Sequence, residues 1–296
     1  MTARDGSDAS QLRYDGAFLR RLAQLGAAHG PTWWLHYSPP LFGLAAAALL
    51  PEARRTVRKN LRLVRGRAGA WRDAVDTGRT FATYASCFAE VLASGSPKAA
   101  VPTATIHGER NLTHALAAKK GMIIATAHTA GWDNVGPLLG RDHDLRMMMA
   151  MHEERDRAAT RIQDGARAAG GLRIVHVGDD PLASLALMHH LRGGGVAALQ
   201  VDRIVPGQRT RAVRLFDAPG QIPEGPLRLA QATGAPILPV FCGRKSFRDY
   251  LVDVSPPVFL ARRASELELD RAAQAIADAL SRFLRAHPTQ WFRFRE

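Results

Sequence analysis

Residues 121–139 read GMIIATAHTAGWDNVGPLL, and the character of this stretch changes at His128. The apolar run at 121–125 predicts a short buried strand, Gly131 marks a turn, and Val135–Leu139 can begin a short helix. His128 is therefore expected at the carboxyl end of a strand. In open α/β sheets, ligands bind at that end.

Asp133 follows His128 by five residues, a spacing that can bring a carboxylate and an imidazole together across one turn. Such a pair forms a general base, because the carboxylate fixes the ring tautomer and stabilises the imidazolium that forms on proton uptake. A histidine near a strand end is more often a structural, hydrogen-bonded residue. The spacing alone leaves both interpretations open.

Alternating strand and helix patterns follow this stretch. Strands are predicted over residues 121–127, 145–150, 173–177, 196–201, 237–241 and 251–254, and helices over 153–169, 181–192, 226–233 and 265–286. This alternation predicts an α/β fold with a largely parallel central sheet flanked by helices. Helices predicted over 15–26 and 71–93 would add an N-terminal helical layer.

The composition suits a globular protein without a metal or redox motif. The chain has 296 residues, of which 46% are hydrophobic, enough for a packed core. Its two cysteines, Cys87 and Cys242, lack a Cys-x-x-Cys partner, and His176, His189 and His190 lack ligands at metal-site spacing. We therefore expect no metal. The absence of a secretory signal and of a disulfide framework predicts a cytoplasmic location.

The charge predicts an anionic partner. The formal net charge is +13, and residues 54–72 contain eight Lys or Arg and no acid. The apolar stretch 41–50 is half the roughly 20 residues that a spanning helix needs. With the aromatic group at 33–37 before it, the stretch suits a helix lying on an anionic membrane surface. A specific nucleic-acid partner is not expected, because the basic residues form no recognisable RNA or DNA motif.

Several ordered segments together resemble one family. They comprise the His-x-x-x-x-Asp block with Gly131-Trp132-Asp133, GGGVAALQVDR at 193–203, IPEGP at 222–226, GAPILPVF at 234–241, and the flanking segments 57–63 and 288–294. Their order resembles that of the lipid A late acyltransferases and phosphatidylinositol mannoside acyltransferases, a branch of the glycerolipid acyltransferase superfamily. The resemblance covers nearly the whole chain from about Arg54.

The resemblance implies a set of site residues. Catalysis is expected from His128 and Asp133, and substrate binding from Gly131, Trp132, Asp202, Arg203, Glu224 and Gly225. Amides near Gly131 and Trp132 are candidate donors to the oxyanion. Other interpretations stay open: Asp202 and Arg203 as a structural ion pair, Glu224 as a turn residue or a salt-bridge partner of Arg203, and Trp132 as core.

The implied activity is transfer of a fatty acyl chain from an acyl carrier protein or coenzyme A thioester to a hydroxyl of a glycolipid resembling a lipid A precursor. No other cofactor is expected. Alternative acceptors are a phosphatidylinositol mannoside, a lysophospholipid or a secondary-metabolite hydroxyl. From another class, a non-catalytic basic lipid-binding protein stays open. A serine hydrolase is less supported, because no Gly-x-Ser-x-Gly motif is present.

These inferences predict the domain organisation and the location. A disordered arm is expected over residues 1–11 and a single acyltransferase domain over 12–296. Within that domain, residues 12–100 would form a membrane-facing helical layer and residues 101–296 the catalytic core. The protein is expected on the cytoplasmic face of the cell membrane, as a peripheral protein.

Overall fold

The computed structural model describes residues 30–93, 101–151, 172–177, 181–205 and 207–295, together with the separate residues Gly26, Thr160, Asp164, Gly165, Arg167 and Ala168. The arm predicted over 1–11 lies outside the described residues, as do nearly all of the helix predicted over 15–26 and most of the one predicted over 153–169.

Helices and strands alternate over most of the described chain. The helices are α1 (Thr32–Leu49), α2 (Pro51–Arg65), α3 (Ala70–Ala93), α4 (Glu109–Ala117), α5 (Trp132–Asp142), α6 (Pro181–Arg192), α7 (Gly225–Thr233) and α8 (Glu266–Ala286), followed by a 3₁₀ turn at Pro288–Gln290. The strands are β1 (Thr103–His107), β2 (Met122–Thr126), β3 (Met147–Met151), β4 (Arg173–His176), β5 (Val196–Gln200), β6 (Thr210–Leu215), β7 (Ala218–Pro223), β8 (Ile237–Ser246) and β9 (Asp249–Val254).

Seven of these strands form one sheet in the order β1-β9-β8-β2-β5-β3-β4. Neighbouring strands are parallel except β8 and β9, which are antiparallel, and β6 and β7 form a separate antiparallel hairpin. The predicted α/β fold with a largely parallel sheet flanked by helices is therefore confirmed. Strand β1 and the hairpin were not predicted.

The central strand β2 is buried along its whole length. Met122 and Ile124 pack on one side of the sheet in a cluster with residues of α4 and α5, whereas Ile123 and Ala125 pack on the other side with residues of α6, α7 and α8. Because side chains alternate across a strand, a strand covered on both faces needs a continuous apolar run. This burial fixes the carboxyl end of β2, where His128 follows.

In the part of the chain that the structure describes, the N-terminal helical layer consists of α1, α2 and α3. Helix α1 approaches α3 so closely that a side chain at Gly43 would lie 2.4 Å from the backbone oxygen of Phe81. The side of α1 away from α3 exposes large apolar side chains, namely Trp33, Tyr37, Leu41 and Phe42. Within the described part of the chain, no helix combines the length and the apolar character needed to cross a membrane.

Candidate active site

The register of β2 and β5 brings His128 and Asp202 together. These parallel strands are neighbours, with Thr126 aligned to Gln200, and the Val201 amide continues the pairing by donating to the Thr126 oxygen at 2.8 Å. His128 and Asp202 each lie two residues beyond the aligned pair. His128 Nδ1 lies 2.9 Å from Asp202 Oδ1, and the His128 amide donates to both carboxylate oxygens at 3.1 and 3.2 Å.

Trp291 is the third member of this arrangement. Its indole Nε1 donates to Asp202 Oδ2 at 2.8 Å, and the residue is 3% exposed. The chain around Trp291 also pairs with the loop that carries His128: Trp291 forms an antiparallel bridge with Thr129, and the Phe292 amide donates to the His128 oxygen at 2.7 Å. The carboxyl-terminal segment therefore supports both the base loop and its carboxylate.

The surroundings of Asp202 fix the protonation of the imidazole. Burial of this carboxylate opposes its ionisation, but the attraction of His128 and the hydrogen bonds from His128 and Trp291 outweigh burial and hold the pKa of Asp202 below its ordinary value. An ionised carboxylate only accepts hydrogen bonds, so His128 Nδ1 carries the proton. Nε2 of the partly exposed ring is then left to accept a proton, as a general base requires.

Asp133 has a different partner. It lies in the first turn of α5, and its carboxylate accepts from Arg167 Nε at 2.9 Å and from Nη2 at 3.2 Å. Within the described residues, the carboxylate bonded to His128 is Asp202, so the expected hydrogen bond between His128 and Asp133 is corrected. The physical reason is the strand register, which places the end of β5 beside the end of β2. Participation of Asp133 in catalysis stays a prediction.

Glycine is the only residue type that fits at position 131 without strain. Its φ is +86°, and a Cβ there would lie 2.1 Å from the ring of Tyr250. The Tyr250 hydroxyl donates to the buried Glu90 carboxylate, which also accepts from Arg244 Nη2 at 2.8 Å. Burial raises the pKa of the Cys87 thiol to about 12, and the nearby Gly131 amide acts in the opposite direction. A role for the Gly131 amide as an oxyanion donor stays a prediction.

Trp132 begins α5 and is buried in the core cluster beside β2. Core packing was one of the two interpretations left open for it. Its indole nitrogen is buried, and no hydrogen-bond partner for it exists among the described residues. The backbone amide of Trp132 belongs to the first turn of the helix, where amides have no acceptor within the helix itself.

Glu224 and Arg203 do not form the salt bridge that was considered for them. The buried Glu224 carboxylate accepts from Arg211 Nη2 at 2.7 Å and lies 2.8 Å from Arg228 Nη2. Burial opposes ionisation of Glu224, but these two arginines hold its pKa below the ordinary value. Arg211 also pairs with Asp270 at 2.6 Å, so Glu224 helps to link the β6–β7 hairpin to helices α7 and α8.

Arg203 is exposed immediately after Asp202. Among the described residues it forms no ion pair with Asp202 or Glu224, so the structural ion pair considered for residues 202 and 203 is absent from this part of the chain. Gly225 is the first residue of α7. Contact of Arg203, Glu224 and Gly225 with a substrate stays a prediction.

Sequence reasoning missed Trp291 as a partner of Asp202 and missed the pairing of Asp202 with His128. The pairing of Asp202 with His128 could have been predicted from the sequence. Both residues directly follow predicted apolar strands, and adjacent parallel strands end at the same edge of a sheet. The hydrogen bond from Trp291 to Asp202 had no local sequence signal, because the two residues are 89 positions apart in the chain.

Comparison with known proteins gives the family. The family model described as bacterial lipid A biosynthesis acyltransferase matches residues 9–296. Two proteins of Mycobacterium tuberculosis, from strains CDC 1551 / Oshkosh and ATCC 25618 / H37Rv, are each named phosphatidylinositol mannoside acyltransferase and are 28% identical to this chain over 186 residues. The aligned part is 63% of this chain and 57% of each relative. With a match over nearly its whole length, the chain belongs to the bacterial lipid A biosynthesis acyltransferase family.

Proposed function

We propose that the protein transfers a fatty acyl group from a thioester donor to a hydroxyl of a glycolipid. The observation that carries this proposal is the buried, ionised Asp202 bonded to His128 Nδ1, which leaves Nε2 as the proton acceptor. Membership in an acyltransferase family supports the same reaction. A non-catalytic lipid-binding protein has no need of such a base, and function is argued from the site rather than from the fold.

In this mechanism, His128 Nε2 takes the proton of the acceptor hydroxyl while the hydroxyl oxygen attacks the thioester carbon. Asp202 stabilises the imidazolium that forms, and Trp291 holds the second carboxylate oxygen. The tetrahedral intermediate then breaks its carbon–sulfur bond, and the thiolate takes the proton back from His128. The products are an ester and a free thiol, and no acyl-enzyme forms.

The carbonyl oxygen becomes negative in the intermediate and needs a preorganised donor. We assign this role to the Trp132 amide, because it opens helix α5 directly after the base loop and benefits from the positive end of the helix dipole. Asp133, two-thirds or more buried and bonded to Arg167, acts in this proposal as a positioning residue that holds the first turn of α5.

The acceptor in this proposal is a glycolipid with a phosphorylated sugar or polyol head group, of the lipid A precursor type. The two mycobacterial relatives, whose names specify phosphatidylinositol mannoside, favour that lipid as the second candidate. The exposed Arg203 beside Asp202 suits a phosphate of either substrate, because a guanidinium binds phosphate oxygens in pairs. The donor is an acyl carrier protein or coenzyme A thioester.

We also propose that the protein lies on the surface of a membrane that contains anionic lipid, at its cytoplasmic face. The outer side of α1 supports this, because Trp33, Tyr37, Leu41 and Phe42 are each 62–66% exposed. Aromatic side chains favour the head-group layer, and the formal net charge of +13 attracts anionic lipid. Contact with the bilayer would bring the protein to its lipid acceptor.

The transferase proposal is tested by mass spectrometry of bacterial lipid extracts incubated with the protein and either palmitoyl-coenzyme A or palmitoyl-acyl carrier protein. A lipid that gains the mass of one palmitoyl chain with the wild type, and not with His128→Ala, is the expected result. It identifies donor and acceptor together. A folded protein that acylates no lipid from either donor contradicts the proposal.

The membrane proposal is tested by sedimentation with phosphatidylcholine vesicles that contain phosphatidylglycerol. Trp33→Ser with Phe42→Ser should release most of the protein from the vesicles. Leu267→Ser is the matched control, because this leucine is 58% exposed on α8 and far along the chain from the aromatic face. Equal sedimentation of all three proteins would show that α1 does not contact the bilayer.

A further inference from the structure

One face of helix α2 is lined with positive charge. Arg55, Arg58, Lys59 and Arg62, here called the basic stripe, lie three and four residues apart and line a cavity of about 380 Å³. Residues at these spacings share one side of a helix. The opposite side, with Val57, Leu61 and Val64, is buried against the rest of the protein. The stripe is therefore a surface of fixed geometry and not a flexible basic tail.

The remaining arginines of α2 already have structural partners. Arg54 Nη1 donates to the Ala47 oxygen at the end of α1 at 2.7 Å, and Arg65 pairs with Asp73 at 2.8 Å and with Asp76 at 3.1 Å. Within the stripe, Arg62 shares Asp73 with Arg65. Within the described part of the chain, Asp73 and Asp76 therefore neutralise charge at the carboxyl end of α2, whereas no acid neutralises Arg55 or Arg58.

Two arginines of the basic stripe have no acidic partner in the described part of the chain. Among the described residues, neither Arg55 nor Arg58 pairs with a carboxylate, and Arg58 Nε is buried without a hydrogen-bond acceptor. A tetrahedral phosphate in the cavity would offer several oxygens to these neighbouring guanidinium groups.

Helix α2 is also held in place relative to the base. Val64 packs in the same cluster as Ala127 and Trp291, and Asn60 Nδ2 donates to the Arg293 oxygen at 2.8 Å. At a rise of about 1.5 Å per residue, the stripe begins about 3 Å and ends about 14 Å along the helix from Val64. A ligand bound by the stripe would lie at a defined distance from the residue that precedes His128.

We propose that the basic stripe binds a phosphate group of the acyl donor. This inference rests on the proposed function, because both donor types carry a phosphate at one end of a pantetheine arm and the thioester at the other. A lipid head group offers the same phosphate chemistry. Helix α2 is attached to the segment that supports His128, so a phosphate bound by the stripe is held at a fixed position relative to the base. A donor thioester needs such positioning, whereas attraction to a membrane does not, and we therefore favour the donor.

The test is isothermal titration calorimetry, which measures the affinity of the full-length protein for coenzyme A and, separately, for adenosine 3′,5′-bisphosphate. The test variant carries Arg55→Gln and Arg58→Gln. The matched control carries Arg262→Gln and Arg263→Gln, the same loss of two charges at exposed positions before α8. Thermal unfolding of all three proteins establishes that they are folded. Sedimentation with phosphatidylglycerol-containing vesicles measures the lipid source of phosphate in parallel.

Coenzyme A should bind the wild type and the control equally and the test variant at least 10-fold more weakly, while vesicle sedimentation of the test variant stays close to that of the control. Three results would overturn the proposal: no binding of either probe to the wild type, equal weakening in the control, or a loss confined to vesicle sedimentation. Because titration needs no turnover, binding by the stripe without lipid acylation would contradict the proposed function alone.

Discussion

Asp202 and Asp133 both lie near the carboxyl end of the central strand, but their surroundings differ. Asp202 is fully buried, 74 residues away from His128 in the chain, and hydrogen-bonded to its ring. Asp133 is only five residues away from His128, and its carboxylate binds Arg167. The difference teaches that sheet register, and not proximity along the chain, selects the carboxylate that orients this imidazole.

Replacement of the base itself should have the largest effect. His128→Ala removes the proton acceptor, so kcat/KM for acyl transfer should fall by about 10³-fold. The free energy of unfolding should fall by about 1.5–3 kcal/mol, because the buried Asp202 carboxylate loses the hydrogen bond from the ring. The rate is measured with the donor and acceptor identified by mass spectrometry. A rate within a few fold of the wild type would remove His128 from the mechanism.

The two carboxylates should then differ sharply. Asp202→Asn places an amide next to His128 Nδ1 and permits the wrong ring tautomer, so kcat should fall by about 10²-fold or more. Asp133→Asn, the matched isosteric change, should lower kcat by less than about 10-fold, because it weakens only the contact with Arg167. Parallel kinetics of the two variants give the comparison. Equal losses of kcat in the two variants, or a larger loss in Asp133→Asn, would contradict the assignment of Asp202 as the orienting carboxylate.

A smaller effect is expected from the third member of the arrangement. Trp291→Phe keeps an aromatic ring in the cluster but removes the N–H that donates to Asp202. Hydrogen bonds to charged groups contribute about 1.5–3 kcal/mol, so the free energy of unfolding should fall by about that amount. We expect kcat to fall by about 5-fold, because Asp202 then holds the imidazole less firmly. Urea denaturation and steady-state kinetics measure the two quantities. A variant as stable and active as the wild type would exclude Trp291 from the site.

The smallest expected effect is a loss of folding stability at acidic pH. The pKa of Asp202 is lower in the folded protein than the ordinary value of 3.8, so the unfolded chain binds more protons in the interval between the two. The stabilisation from Asp202 is therefore complete above about pH 4 and is lost as the pH falls through the folded pKa.

The control for this acid effect is Asp202→Asn, which lacks the titrating group and keeps the other carboxylates. The difference in free energy of unfolding between the wild type and this variant, measured in urea from pH 7 to pH 3, should shrink below about pH 4. A difference that stays constant over that range would show that the Asp202 carboxylate is not stabilised in the folded state.

Much of the fold could be predicted because its elements have strong local patterns. Helix α6 has the predicted bounds, and β2 and β5 lie within one or two residues of theirs, since continuous apolar runs bounded by glycine identify buried strands. Strand β1 escaped prediction because it is only half buried at the sheet edge. The hairpin escaped because arginines interrupt β6.

The candidate site divides in the same way. His128, Gly131 and Asp202 could be identified from local sequence, because each follows or ends a buried strand. Their contacts could not, since the Asp202–Trp291 hydrogen bond and the packing of Gly131 on Tyr250 join residues far apart in the chain. Such contacts depend on sheet order and on the path of the carboxyl-terminal segment, which local patterns do not encode.

The tautomer of His128 tests most directly whether Asp202 is the orienting carboxylate. It is measured by ¹⁵N NMR of histidine-labelled wild type, Asp202→Asn and Asp133→Asn at a pH where the ring is neutral. The wild type and Asp133→Asn should show a ring protonated on Nδ1, and Asp202→Asn should show a shift towards protonation on Nε2. A shift in Asp133→Asn with none in Asp202→Asn would contradict the assignment of Asp202.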